Sequence, residues 1–286
     1  MTEPARAVPM ADLGHRAPAL AVAVLSAFGV AVVHLLFVTS VTGRRVDGAA
    51  LSGADEVPGR LWDAAARVLE VVSVPFVVVV VLVTMLLAVL RRRVALAVQV
   101  AVLVVGANVT TQVLKNYLVR PDLGLADRIA NSLPSGHTTV AASAGAALVL
   151  AVPRRFRAAA AVVAAGYTTV TGVATLIAGW HRPADAVAAV LVVLGWAGLV
   201  AAFGPRGSGV GQAGHVRAPA ALLVGLAVVL AGLSVVAFLQ VADATVLGHS
   251  QLVVAAVGGS MGIAAAACAA FGVLLAIVAA ADSRDR

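Results

Sequence analysis

The sequence predicts an all-α integral membrane protein, and three observations support this fold class. Of its 286 residues, 62% are hydrophobic and only 12% are charged, whereas soluble domains are about 45–50% apolar and about 25% charged. The mean hydropathy is +1.04. The apolar residues also occur in runs of about twenty, the length at which a helix crosses a hydrocarbon layer about 30 Å thick. A single soluble core of ordinary composition is therefore excluded.

Eight apolar segments are predicted to form membrane-spanning helices. They lie at about 19–41, 70–90, 94–114, 137–152, 158–178, 185–203, 218–241 and 251–281. The first segment is longer than the apolar region of a signal peptide, which has about 7–15 residues, so we interpret it as an uncleaved helix. The remaining chain forms terminal segments at 1–18 and 282–286 and a Gly-rich linker at 204–217.

The basic residues indicate how the predicted helices are oriented. With a cytoplasmic N-terminus, 12 of the 20 Lys and Arg residues face the cytoplasm, including the arginine clusters at 91–93 and 154–157. Cytoplasmic loops of membrane proteins carry such an excess of positive charge. We therefore expect both termini in the cytoplasm and the loops 115–136 and 179–184 at the outer face of the plasma membrane. The same distribution accounts for the net charge of +7 without a nucleic-acid partner.

Cysteine and lysine usage adds two further expectations. The single cysteine, Cys268, has no intrachain partner for a disulfide. The sequence shows neither a Cys-rich metal pattern nor a carboxylate cluster, so we expect no metal and no other cofactor. Nineteen of the 20 basic residues are arginine, a bias typical of GC-rich coding, and the one lysine is Lys115. This remaining lysine requires an explanation.

The loop between the third and fourth predicted spans carries an unusual run of polar residues. It contains Lys-Asn-Tyr-Leu-Val-Arg-Pro-Asp at 115–122 and Asn-Ser-Leu-Pro-Ser-Gly-His-Thr at 131–138. Ser135 can cap the fourth helix and Gly136 allows close backbone approach, so the N–H groups at this helix start would face an anion. His137 would point at the same anion. The alternative interpretation is a helix cap with an incidental histidine.

A second polar run, Gly-Trp-His-Arg-Pro-Ala-Asp at 179–185, joins the fifth and sixth predicted spans. Proline suits the first position of a helix, so Pro183 marks the start of the sixth. The four-residue spacing lets the Asp185 carboxylate hold one imidazole nitrogen of His181, leaving the other free and nucleophilic. Alternatively, Asp185 only favours a helix N-terminus. The location of both histidines on one predicted membrane face, beside Lys115, favours the chemical interpretation.

The two polar runs contain three motifs in order: Lys…Arg-Pro at 115–121, Pro-Ser-Gly-His at 134–137 and His-x3-Asp at 181–185. Together they resemble the type 2 phosphatidic acid phosphatase (PAP2) and vanadium haloperoxidase superfamily, in its membrane-bound lipid phosphatase branch. The resemblance covers about residues 19–203. It implies a six-helix core, to which the two C-terminal spans are an addition. It also implies a metal-independent phosphatase that acts on a lipid phosphate, either a phosphomonoester or a pyrophosphate of a phosphatidic acid-like or polyprenyl lipid.

The resemblance also implies a role for each matching residue. His181 would attack phosphorus and form a phosphohistidine, Asp185 would orient it, and His137 would serve as general acid and then general base. Four groups would hold the phosphoryl oxygens: the side chains of Lys115, Arg120 and Ser135 and the backbone N–H of Gly136.

Two departures from the family pattern leave alternatives open. The family places six residues between its lysine and arginine, but four separate Lys115 from Arg120. The Ser-Arg of its third motif is replaced by Ala174 and Thr175, and the candidate replacements for this arginine are Arg182 and Arg128. A lipid phosphotransferase or a noncatalytic scaffold or transporter on the same fold are therefore alternative functions. The role of the last two spans and the formation of a homo-oligomer also stay open.

Overall fold

The computed structural model describes residues 10–56, 58–71, 79, 82–83, 85–86, 93–125, 131–204, 214–244 and 246–283. Every regular element in these residues is a helix, which confirms the predicted all-α fold class. The α-helices are α1 (Met10–Phe37), α2 (Val41–Ala54), α3 (Gly59–Val71), α4 (Val94–Tyr117), α5 (Gly136–Ala151), α6 (Arg157–Ile177), α7 (Pro183–Phe203), α8 (Gly214–Ala242) and α9 (His249–Ser283). A 3₁₀ turn, Arg154–Phe156, precedes α6.

Six of the described helices are long and apolar enough to cross a membrane, namely α1, α4, α6, α7, α8 and α9. They confirm six of the predicted spans, and the protein is a multi-pass membrane protein. Helix α5 is also apolar, but its 16 residues reach only about 24 Å at 1.5 Å per residue. The predicted span at about 70–90 falls largely outside the described residues.

The segment after α1, which the sequence analysis treats as a loop, folds into the helices α2 and α3. Ser40 caps α2, because its Oγ accepts a hydrogen bond from Gly43 N at 3.1 Å. Helix α2 buries the charged residues Arg44 and Asp47 along with Val46 and Ala50. A helix that buries charge has no clean apolar stripe, so the hydrophobic periodicity on which the prediction relied could not reveal it.

The helices pack around α5 and α9. Helix α5 lies against α4, α6 and α7, while α9 lies against α2, α6, α7 and α8. In α9, 67% of the apolar stretch is buried, compared with 17% in α1 and in α8. The C-terminal helix α9 is therefore part of the centre of the molecule, whereas α1 and α8 present most of their surface to lipid.

Glycines allow α9 to approach the other helices closely. A Cβ on Gly172 of α6 would lie 2.7 Å from Ile263 Cγ2 of α9. On Gly259 of α9, a Cβ would overlap the Pro183 ring at the start of α7 and lie 3.2 Å from Ala50 Cβ of α2. Small residues at such positions let transmembrane helices gain van der Waals contact where lipid supplies no hydrophobic driving force.

Gly259→Ala should lower the stability of the protein, because the rigid Pro183 ring cannot move away from an added methyl group. Overpacking of this kind typically costs about 1–3 kcal/mol. The measurement is the apparent melting temperature of the purified protein in detergent. Gly225→Ala in α8 is the matched control, since nothing lies within 4 Å of a Cβ at that position. Equal melting temperatures for the two variants would contradict the packing described here.

Candidate active site

The turn between α6 and α7 fixes the position of His181. Gly179 adopts a left-handed conformation with φ of +70°, which glycine tolerates without a steric penalty. The chain then folds back on α6, so that the backbone N–H groups of Trp180 and His181 donate to Thr175 O at 3.0 Å and 3.1 Å. Pro183 begins α7 as predicted. The histidine is consequently held in a short, doubly hydrogen-bonded turn.

Asp185 orients the His181 ring. Its Oδ2 lies 3.2 Å from His181 Nδ1, and both side chains are buried. The same oxygen accepts a hydrogen bond from Arg182 N at 3.0 Å, and Ser132 also bonds to the carboxylate. An ionised carboxylate accepts a hydrogen bond from the N–H at Nδ1, and in that tautomer Nε2 carries the free lone pair. This is the geometry that a nucleophilic imidazole requires.

The polar run at 131–138 lies directly against this turn. Ser135 caps α5, because its Oγ accepts hydrogen bonds from Thr138 N at 3.4 Å and Thr138 Oγ1 at 3.0 Å. Its backbone N–H donates to Asp185 O at 2.9 Å. The structure therefore joins the Ser135 and Asp185 segments by a backbone hydrogen bond. Ser135 is fully buried and acts here as a helix cap, so its contact with a phosphate stays a prediction.

His137 and Lys115 lie on the same side of the turn as His181. The His137 ring packs against Trp180, with ring centroids 5.2 Å apart and an interplanar angle of 42°. The charges of His181 and Lys115 both act on the His137 ring. Asn131 connects the ends of this region, since its Nδ2 donates to Lys115 O at 3.2 Å and to Leu133 O at 3.0 Å. The sequence analysis did not single out Asn131.

The arginines are distributed differently from the family pattern. Ala174 and Thr175 are buried in α6, so no cation occupies the place where the family carries its Ser-Arg. Arg182 is 5% exposed, and its Nη1 donates to Ser132 Oγ at 3.4 Å. Its guanidinium therefore points into the 131–135 segment. Arg120 is equally buried, whereas Arg128 lies outside the described residues.

Comparison with protein families identifies the central part of the chain. Residues 94–207 match the family model described as the PAP2 superfamily. The central part of the chain is therefore similar to the PAP2 superfamily. The matched segment, called the PAP2 domain below, comprises α4 to α7 with both histidine-bearing turns. No curated protein and no solved structure matched the chain.

The match indicates a general chemistry for these residues. Phosphatase activity on phosphate esters is typical of the PAP2 superfamily, and the apolar helices indicate a membrane protein. Within the described residues, no three His, Cys, Asp or Glu side chains come together in a way that could hold a metal ion.

Helix α2, outside the PAP2 domain, contributes two buried charged residues to the site. Asp47 Oδ1 accepts a hydrogen bond from Ala184 N at 3.0 Å, and Arg44 Nη1 donates to Pro121 O. Both side chains are almost fully buried. Burial, reinforced by the nearby Asp185 charge, raises the pKa of the Asp47 carboxyl to about 8. The sequence did not single out either residue, because both lie between the first two predicted spans and belong to no motif.

An apolar cavity of about 340 Å³ lies beside the PAP2 domain, between α6, α8 and α9. Its lining includes Leu176 of α6, Leu230 of α8 and Val257 and Ser260 of α9. None of its lining residues is ionisable. A phosphate group would be unsatisfied there, so this cavity is distinct from the site around His181.

Proposed function

We propose that the protein is a membrane lipid phosphate phosphatase. It hydrolyses the phosphomonoester or pyrophosphate of a phosphatidic acid-like or polyprenyl lipid through a phosphohistidine intermediate. The observation that carries this proposal is the buried His181–Asp185 pair, whose hydrogen bond at Nδ1 leaves Nε2 available as a nucleophile. The match to the PAP2 superfamily supplies the general reaction class.

In the first step of the proposed reaction, Nε2 of His181 attacks phosphorus. The bond between phosphorus and the leaving oxygen breaks, and a protonated His137 gives its proton to that oxygen. Asp185 stabilises the positive charge that develops on the His181 ring. The contact of the His137 ring with Trp180, the residue next to His181, supports its role as the acid at this point. Burial and the nearby His181 and Lys115 charges lower the pKa of His137, so in this proposal the negative charge of the bound phosphate favours the protonated ring.

In the second step, water hydrolyses the phosphohistidine. His137, now neutral, accepts a proton from the water as its oxygen attacks phosphorus. The bond between phosphorus and nitrogen breaks, and its electron pair returns to Nε2 of His181. Inorganic phosphate leaves, and His137 is again protonated for the next turnover.

Positive and N–H groups near the reacting histidine would stabilise the phosphoryl oxygens. Lys115 and Arg120 approach from the end of α4, and Arg182 approaches from the turn before α7. The N–H groups of Gly136 and the first turn of α5 add the positive end of a helix dipole. In this proposal, Ser135 contributes its hydroxyl after a small adjustment of the cap.

A lipid substrate is supported by the place of these residues at the ends of membrane helices. A lipid phosphate keeps its chains in the bilayer and its head group at the interface. In this proposal the interface is where α4 and α6 end and where α5 and α7 begin. The arginine clusters at 91–93 and 154–157 are predicted to face the cytoplasm, on the opposite side from the site. In this proposal the site therefore lies at the outer face of the plasma membrane. The proposal requires no metal.

Two alternative functions are compatible with the same fold. A lipid phosphotransferase would use the same phosphohistidine but pass the phosphoryl group to an acceptor other than water. A noncatalytic scaffold or transporter is favoured by the absence of the family arginine at Ala174 and Thr175. The retention of His137, His181 and Asp185 together favours an enzyme.

The decisive experiment measures phosphate release by the detergent-purified protein from a phosphatidic acid, a polyprenyl phosphate and a polyprenyl pyrophosphate. We expect turnover that vanadate inhibits and a metal chelator does not affect. His181→Ala should abolish turnover, and Asp185→Asn should lower kcat by on the order of 10⁴-fold, as for other orienting carboxylates. Radiolabelled substrate should leave an alkali-stable, acid-labile phosphoenzyme in the wild type only.

The outcomes of this experiment separate the alternatives. The phosphotransferase would be favoured if adding a second lipid alcohol stops phosphate release and the phosphoryl group is found on that alcohol. Absence of turnover and of a phosphoenzyme with every lipid would overturn the enzyme assignment and favour the scaffold.

Lys115→Arg should impair turnover although it preserves charge. An ammonium is a compact point charge with rotatable donors, and a planar guanidinium does not occupy the same place. We expect kcat/KM to fall on the order of tenfold, the effect of a weakened charge-assisted hydrogen bond. Arg155→Lys, on an exposed side chain, is the control that should retain wild-type kinetics. Equal kinetics for the two variants would argue against phosphate binding by Lys115.

Arg182→Ala should lower kcat/KM if this residue replaces the missing family arginine. Loss of a charge-assisted contact of about 1.5–3 kcal/mol corresponds to roughly 10–150-fold in rate. Arg128→Ala tests the second candidate, and Arg155→Ala serves as the control. Wild-type rates in both the Arg182 and Arg128 variants would show that neither residue supplies the charge.

A further inference from the structure

We propose that α2 acts as a clamp that sets the distance between the two phosphate-binding segments of the PAP2 domain. The clamp consists of Arg44 and Asp47, which lie one helical turn apart. Arg44 holds the segment that follows Lys115 and Arg120, and Asp47 holds the start of α7. Both are positioning residues, and this inference rests on the proposed function. It assigns a role to a helix that lies outside the family match.

The Asp47 side of the clamp acts on the first turn of α7. The N–H groups of a helix's first turn have no partner within the helix, and one of these is Ala184 N. Asp47 Oδ1 accepts it at 3.0 Å in a fully buried environment, while Asp185 accepts from Arg182 N at 3.0 Å. Each carboxyl group therefore caps one N–H group at the start of α7. Asp185 also keeps its hydrogen bond to His181.

The Arg44 side of the clamp acts on the segment between α4 and α5. Its Nη1 donates to Pro121 O, in the residue next to Arg120. Arg44 is only 2% exposed and belongs to the largest fully buried side chains of the described residues. A buried guanidinium is expensive to move away from its partners. The carbonyl of Pro121, and with it the direction of Arg120, is therefore held in place from α2.

The two bonds connect parts of the chain that are far apart in sequence. Arg44 and Pro121 are separated by 77 positions, and Asp47 and Ala184 by 137 positions. Because Arg44 and Asp47 are three positions apart on one rigid helix, the two contacts cannot shift independently. The clamp thereby fixes the nucleophile relative to the cations that hold the phosphate. Misplacement of reacting groups by about 1 Å can cost on the order of 10²-fold in rate.

The charges around Asp47 should make the rate of turnover depend on pH. Asp185 and Arg182 face Asp47 from the start of α7, and Arg120 faces it from the preceding segment. Apolar side chains of α8 and α9, including Phe238, Val241 and Ala255, pack in the cluster around Val46 and Ala50. With its pKa raised to about 8, the carboxyl is neutral below that pH and still accepts through its carbonyl oxygen. Above it, the new charge attracts both arginines and repels Asp185.

The test compares Asp47→Ala, Asp47→Asn and the control Asp63→Ala, which removes an exposed carboxylate from α3. All are assayed as full-length protein with one lipid phosphate that the wild type hydrolyses. We expect Asp47→Ala to lower kcat on the order of 10²-fold with little change in KM. Asp47→Asn keeps the acceptor oxygen and should recover most of this loss. We expect the wild-type rate to decline as the pH rises through about 8, where Asp47 becomes charged, and this decline should be absent from Asp47→Asn. The control should match the wild type.

Arg44→Met tests the other side of the clamp. Because Arg44 positions the segment that binds phosphate, its loss should raise KM and weaken vanadate inhibition, whereas loss of Asp47 acts on kcat. Melting temperatures in detergent identify any variant that fails to fold. If Asp47→Ala fails to fold, the pH profile of Asp47→Asn decides: an unchanged profile overturns the clamp. An inactive wild type overturns the proposed function, and an active wild type with unchanged Asp47 variants overturns the clamp alone.

Discussion

The first turn of α7 is the constraint on which the candidate site depends. A helix that starts in a buried position must find partners for its free N–H groups. Asp185 and Asp47 supply them to Arg182 N and Ala184 N, and Ser135 N in turn donates to Asp185 O. Because Asp185 also holds His181, the interactions that begin the helix also orient the histidine. The same hydrogen bonds therefore stabilise the turn and arrange the site.

The small residues of this sequence allow the rest of the chain to reach that turn. Helix α9 lies beyond the PAP2 domain in sequence, yet Gly259 brings it against Pro183 and two thirds of its apolar stretch are buried. In lipid, helices associate through van der Waals packing and polar contacts. The abundance of Ala and Gly is therefore more than a consequence of coding bias. It lets α9 support the start of α7 from one side while α2 supports it from the other.

Sequence reasoning predicted those features that local chemistry determines. Hydropathy and length located the long spans, Pro183 marked a helix start, and the spacing of His181 and Asp185 predicted their contact. It missed α2 because that helix buries Arg44 and Asp47, and partners at such sequence distances leave no local pattern. The central place of α9 was also unpredictable, since a uniformly apolar helix does not reveal which of its neighbours it contacts in a bilayer.

Buried cationic side chains are the other feature of this region. Three arginines, Arg44, Arg120 and Arg182, are each at most 5% exposed, and Lys115 lies near His137. Each of the three arginines has interactions within the protein that hold it in place. A buried cation that is already held by its neighbours does not have to reorganise when a charged group arrives. In the proposed reaction, such fixed charges would stabilise the phosphoryl oxygens at no cost in reorganisation, which links the packing of the helices to the chemistry of the site.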